Sequence, residues 1–181
     1  MASETTKSGT VREKPSLFET ALAGLRVRDV LPGSGSAAAI PGWQTVQSFI
    51  DGTPADGPVA SGTPGLGASG AAAFPLRDFE GHAAGVLTLS QLALVPADRW
   101  GQLRLADVAT PSGQVVTTTL DEPMGQLLAR LSIRPATPAA LHTAGHALVI
   151  TGDGTAAGVL TPDDFRRAGQ LGQLAERRRA P

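Results

Sequence analysis

The sequence predicts an α/β (α+β) protein built from two copies of one small unit, each running strand, helix, strand, strand, helix. Two echoes within the chain predict it first. "AAGVLT" stands at Ala83–Thr88 and again at Ala156–Thr161, 73 positions on, and its flanks "FEGHAAGVLTLSQL" and "GDGTAAGVLTPDDF" align at the same spacing, Gly81 over Gly154 and Leu92 over Phe165. "LRVRDV" at Leu25–Val30 is echoed by "LRLADV" at Leu103–Val108, 78 positions on. Changes of loop length absorb the difference between the two spacings without disturbing the elements. The third observation is that hydrophobic periodicity gives the same order of elements in both halves.

In chain order, residues 1–16 are polar and without periodicity, and are expected to be disordered. From "SLFETALAGL" the positions Leu17, Ala21, Leu22 and Leu25 follow helical spacing, with Ser16 as N-cap after Pro15. In the first unit "SAAAI" is a strand of poor propensity, and "PGWQTVQSFI" places Trp43, Val46 and Ile50 on one helical face, with Trp43 read as core. Residues 52–70 form a Gly, Pro, Ala and Ser tract that cannot bury a core, read as an insertion. "AAFPLRD" and "HAAGVL" make a hairpin, followed by a helix from Leu89 to Val95 that Pro96 ends.

The second unit is clearer. "QVVTTT" is a β-branched strand; Asp121 caps a helix with Pro123 in its first turn, and Met124, Leu127, Leu128 and Leu131 form its apolar stripe. A second loop, "RPATPAALHTAG", follows at the place equivalent to the first insertion. "HALVI" and "TAAGVL" flank "TGDG", whose Asp-Gly pair suits a tight turn. Thr161 caps the last helix, with Pro162 at its first position and Asp163 and Asp164 in its first turn. The expected organisation is a disordered segment 1–16, unit one at 17–96, unit two at 97–170 and a basic, solvated tail at 171–181. Each sheet buries one face on its own helices, so the two exposed apolar faces are expected to pack together.

Composition excludes several classes. A net charge of −1 over 181 residues offers no basic footprint for nucleic acid. The chain has no cysteine, hence no disulfide, thiolate metal site or cysteine nucleophile, and this fits a cytoplasmic setting. "MASETTKSGTVREK" lacks the apolar core of a signal peptide, and no run of about 18 apolar residues exists to insert in a membrane. With three scattered histidines, no nucleophile, base and orienting group can be assembled, so no enzyme is expected.

On these residues the chain resembles a tandem pair of CBS domains: the unit order, the "RDV" and "ADV" segments, and above all "GVLTPDDF", which looks like that family's Gly-hydrophobic-hydrophobic-Thr-x-x-Asp signature. The likeness covers roughly Leu25 to Ala168. More narrowly, "AGLRVRDV", "PGWQTVQSFIDG" and "FPLRDFEGHAAGVLTLSQLA" are similar to the cytosolic CBS tail of actinobacterial site-2-type (M50) zinc metalloproteases. His82, His142 and His146 do not make a His-Glu-x-x-His motif, so no protease activity is expected of this chain. The resemblance implies a regulatory module that binds an adenine-containing ligand, AMP, ATP or S-adenosylmethionine, in the cleft between units, with no required cofactor or metal. It also implies a homodimer of CBS pairs and a membrane metalloprotease as partner, at the inner face of the membrane. The alternative is a structural dimerisation or docking module without ligand.

By the resemblance, Asp164 accepts from the ribose hydroxyls, Thr161 offers a hydroxyl, and the helix they start presents backbone N–H groups to a phosphate. Val116, Gly145, His146 and Val159 line the adenine slot. The same Thr-x-x-Asp is also a capping box that needs no ligand. In the first unit the matching pair is Thr88 and Gln91, a capping box whose neutral amide makes a degenerate second site.

Overall fold

A computed structural model describes residues 22, 24–31, 39–52, 73–131 and 143–179 of the chain. The N-terminal segment with its Ser16 cap, residues 53–72 of the first insertion and residues 132–142 of the second loop lie outside them.

Two sheets form. In the first, β1 (Ile40–Pro41) runs parallel to β2 (Ala73–Arg77), which pairs antiparallel with β3 (Ala83–Thr88), and β3 in turn with β4 (Thr110–Pro111). In the second, β5 (Val116–Thr119) is parallel to β6 (Ala147–Ile150), which is antiparallel to β7 (Ala156–Leu160). The helices are α1 (Val27–Val30), α2 (Val46–Asp51), α3 (Leu89–Ala93), α4 (Leu105–Val108), α5 (Met124–Leu131) and α6 (Pro162–Arg179). The two hairpins match in detail: the register slips at Leu76/Arg77 in one and at Val149/Ile150 in the other. Their turns place Gly81 and Gly154 at φ 93° and 84°, a region glycine enters without the penalty of a Cβ.

The lead-in segments are exchanged between the lobes. Val27 and Arg28 donate their N–H groups to Glu122 and Leu120 of the second unit, and Met124 donates to Leu25. In mirror fashion Leu105 and Ala106 donate to Gln44 and Gly42 of the first unit, and Val46 donates to Leu103. All three pairs of bonds correspond at the 78-residue spacing of the "LRVRDV" echo. The echo is therefore the sequence trace of a pseudo-twofold exchange, in which each short helix closes the core of the other lobe.

Packing follows. Leu22 and Val27 share a core with Met124, Leu127, Leu160 and Phe165, whereas Leu105 joins Val46, Phe49, Phe74 and Leu87 under the first sheet. A third cluster, Ala73, Val86, Val115, Leu148, Ala156 and Val159, lies between the sheets. Alternation along the strands decides this: Ala147 and Val149 face the helices while Leu148 faces the other sheet. Where the hairpin tips meet, Ala83 donates to the Gly154 carbonyl at 2.9 Å and His82 bridges Thr155.

Four expectations change. Trp43 is not core: it stands before α2, half-exposed, stacked on Phe79 at 4.3 Å between ring centres with the Arg77 guanidinium 5.0 Å from its ring. Asp121 does not cap α5, which begins at Met124; its carboxylate pairs with Arg28 and Arg26 instead. The first unit's last helix ends at Ala93, although Leu94 and Val95 still donate to Gln91 and Leu92. Finally, α6 continues through the residues read as a tail, as far as Arg179.

Candidate functional site

The two helix starts that follow the hairpins share one geometry. Thr88 N–H donates to Gln91 Oε1 at 2.9 Å and Gln91 N–H donates to Thr88 Oγ1 at 3.3 Å. Thr161 N–H donates to Asp164 Oδ2 at 2.9 Å, its hydroxyl donates to the same oxygen at 2.7 Å, and Asp164 N–H returns to Thr161 Oγ1 at 3.4 Å. Both are reciprocal capping boxes, so the cap alone distinguishes neither lobe.

What differs is the atom left over. In the first lobe Gln91 Nε2 donates to Thr110 Oγ1 at 2.9 Å, tying α3 to β4. β4 lies so close to β3 that a Cβ on Gly85 would stand 2.3 Å from the Thr110 carbonyl oxygen. Gln91 and Thr110 are both buried, so the spare atom of Gln91 is satisfied inside the chain. At the equivalent place in the second lobe the neighbour of Gly158 is the side chain of Leu31, whose Cδ1 would lie 3.0 Å from an added Cβ. Asp164 is buried to 6 % exposure, and its Oδ1 meets Arg167 Nη1, on an exposed side chain, at 3.3 Å. A cavity of about 250 Å³ opens here, lined by Asp164, Arg167 and Ala168 of α6 and by Leu25, Asp29 and Val30 of the lead-in segment. The segment exchange thus builds it, since Leu25–Val30 belongs to the first echo and α6 to the second unit.

The other residues expected at the site divide. Gly145 takes φ 77°, and a Cβ there would stand 3.1 Å from Pro162, so the approach to β6 touches the start of α6. His146 is half-buried: Nδ1 faces the Ala144 carbonyl at 3.2 Å, and Nε2 is buried without a partner among the described residues. Burial lowers its pKa, against the pull of the Ala144 and Thr143 carbonyls and of the Asp164 charge. Val116, paired with Ala147, packs on the helix side of the sheet; neither it nor Gly145, His146 or Val159 lines the cavity. Val159 packs on the opposite face, between the sheets. Period two along β7 separates it from Leu160, which faces the helices. The expected free N–H groups at the start of α6 are largely spent: Pro162 has none and Asp164 N–H bonds Thr161.

Sequence reasoning missed Asp29 and Arg167. Arg167 stands one helical turn after Asp164, where (i, i+3) side chains meet, which was a readable signal. Asp29 reaches the site only through the exchange. Among the described residues one trio, Asp78, Glu80 and His82, could offer a metal three donor atoms, all within 4.8 Å of one another at the first hairpin tip. Asp78 Oδ1 there already accepts from the N–H groups of Glu80 and His82, at 2.9 and 2.8 Å. No described helix is long and apolar enough to cross a membrane.

No family model matches the chain. In sequence it is similar to Rip3 of Mycobacterium tuberculosis, a protein named as a zinc metalloprotease in strains Erdman and H37Rv, at 30% identity over 154 residues. The match covers 85% of this chain and 34% of the relative, so the chain spans about a third of the length of the curated relatives it matches. In structure it is similar to the CBS domain of a bacterial CNNM/CorC family Mg2+ transporter, with a TM-score of 0.57 at 15% identity over 83% of this chain and 78% of that one. The same domain in complex with ATP gives 0.57 at 15%, over 86% and 93%. A CBS domain-containing protein of Bacillus anthracis gives 0.55 at 12%, over 84% and 98%.

Proposed function

We propose that this chain, whose fold is that of a tandem CBS-domain pair, is a regulatory module that binds an adenine-containing ligand in the cleft of its second lobe and passes the binding state to a partner. The observation that carries the reading is Asp164: a buried carboxylate at a cavity, fixed by Thr161 through one oxygen and reached through the other, among the described residues, by the exposed Arg167. In this reading that second oxygen accepts from a ribose hydroxyl, a charge-assisted bond worth about twice a neutral one. Thr161 acts by holding Asp164, Gly145 keeps the helix start close to β6, and Val116 and His146 flank the slot. Val159 contributes by fixing β7 between the sheets. ATP in the similar transporter domain supports the ligand class. The likeness to Rip3 supports a zinc metalloprotease as the partner. By the same reading that partner is membrane-bound, and this chain sits at the inner face of the membrane, carries no chemistry of its own and assembles as a homodimer of pairs.

The test is a thermal-shift panel of adenosine, AMP, ATP and S-adenosylmethionine. A ligand present at a hundred times its dissociation constant adds about 2.7 kcal/mol to stability. At least one compound is expected to raise the melting temperature, and Asp164→Ala is expected to abolish that rise while the variant still melts cooperatively. Silence from every compound removes the sensor reading. A second reading, a docking module without ligand, is favoured by the Gln91–Thr110 bond that satisfies the spare atom of Gln91 inside the chain. Association with a partner protein unaffected by Asp164→Ala or by any of the four compounds is its expected signature.

A further inference from the structure

We infer that the second-lobe cavity selects adenosyl compounds without phosphate, neutral or cationic beyond the ribose, over nucleotide polyphosphates; this rests on the reading that an adenine-containing ligand binds there at all. The charges on its wall carry the argument. Two carboxylates, Asp29 and Asp164, and one guanidinium, Arg167, line it, and the rest is apolar. Arg167 is already engaged with Asp164 at 3.3 Å, so it neutralises that carboxylate and leaves Asp29 uncompensated. Among the described side chains, the other cations on the same elements are paired elsewhere: Arg28 and Arg26 with Asp121, and Arg166 with Asp163 at 3.0 Å.

The helix start offers a phosphate little in their place. Pro162 has no N–H, the Asp164 N–H is bound within the cap, and the side chains of Asp163 and Asp164 already occupy the positive end of the dipole. A polyphosphate entering here brings several negative charges toward two carboxylates, Asp164 buried and Asp29 exposed, so the repulsion from Asp29 is open to screening by salt. The ligand that fits has a diol for Asp164 Oδ1, an apolar ring for Leu25, Val30 and Ala168, and either no charge or a positive one facing Asp29. S-adenosylmethionine, with its sulfonium and ammonium groups, has those properties.

Titration calorimetry on the full chain with adenosine, S-adenosylmethionine, AMP and ATP tests it. S-adenosylmethionine is expected to bind about tenfold or more tighter than ATP, with adenosine between them, and the ratio is expected to shrink in high salt. Asp29→Asn keeps the oxygen that accepts from Arg26 N–H and removes the charge. It should narrow the ratio of S-adenosylmethionine to ATP affinity by several fold. ATP binding equal to or tighter than S-adenosylmethionine, or a ratio untouched by Asp29→Asn, overturns the selection while leaving the adenine site standing. Failure of all four compounds overturns the selection and the site together.

Discussion

The two helix starts, Thr88 to Gln91 and Thr161 to Asp164, share one cap and give its leftover atom different partners. Each caps its helix with the same reciprocal bonds, and each acidic or amide side chain is almost wholly buried. Gln91 has a donor as well as an acceptor, so it caps with its oxygen and bonds Thr110 with its nitrogen. Asp164 has only acceptors. Its spare oxygen attracts a cation, and among the described residues that cation is the exposed Arg167. The difference teaches that a repeated cap is neutral with respect to function: the site is decided by what the leftover atom of the capping residue can do.

The largest expected effect tests the first lobe. Gly85→Ala sets a Cβ against backbone, the Thr110 carbonyl at 2.3 Å, so β3 and β4 must part. A loss of about 3 kcal/mol or more is expected by chemical denaturation. An unchanged midpoint would mean that the β3–β4 seam yields without cost. Next comes Gln91→Leu, which removes the side-chain half of the reciprocal cap and the Thr110 bond together and should cost about 1–3 kcal/mol. Its counterpart Asp164→Asn keeps a carbonyl oxygen for the cap and should cost less than about 1 kcal/mol while weakening ligand binding. Equal stability losses in the two variants would erase the asymmetry between the lobes.

A smaller effect is read from pH. His146 is held below its ordinary value by burial, so the folded lobe resists its protonation more than the unfolded chain does. Its contribution is present above about pH 6.5 and is lost as the pH falls below that toward the lowered folded value. Melting temperatures should drop in this window, and His146→Gln should flatten the drop. A wild-type profile identical to that of the variant would remove His146 as its source. The smallest change is expected for Arg167→Gln, whose ion pair is largely solvated and worth no more than about 0.5 kcal/mol of stability.

Much of this was legible. The hairpins were written in alternation and in Gly81 and Gly154, and both caps in their Thr-x-x-Gln and Thr-x-x-Asp spacing, because such signals act within a few residues. Propensity misled where neighbours in space took over. Asp121, a good capping residue, was drawn to Arg28 and Arg26 of the exchanged segment, and Trp43 found Phe79 and Arg77 across the surface instead of a place in the core. β4 went unseen because Thr110–Pro111 is two residues long and exists only by pairing with β3.

By itself the sequence determined that one unit occurs twice, what order of elements it has, and which carboxylate stands at the head of the last helix. These depend on periodicity and capping, which are local. Only the tertiary structure decided that Leu25–Val30 closes the second lobe and Leu103–Val108 the first, that Thr110 bonds the spare nitrogen of Gln91, and that Asp29 meets Asp164 and Arg167 around the second-lobe cavity. Such contacts join residues tens to more than a hundred positions apart, and they are fixed by which apolar faces bury one another, something no window along the chain contains.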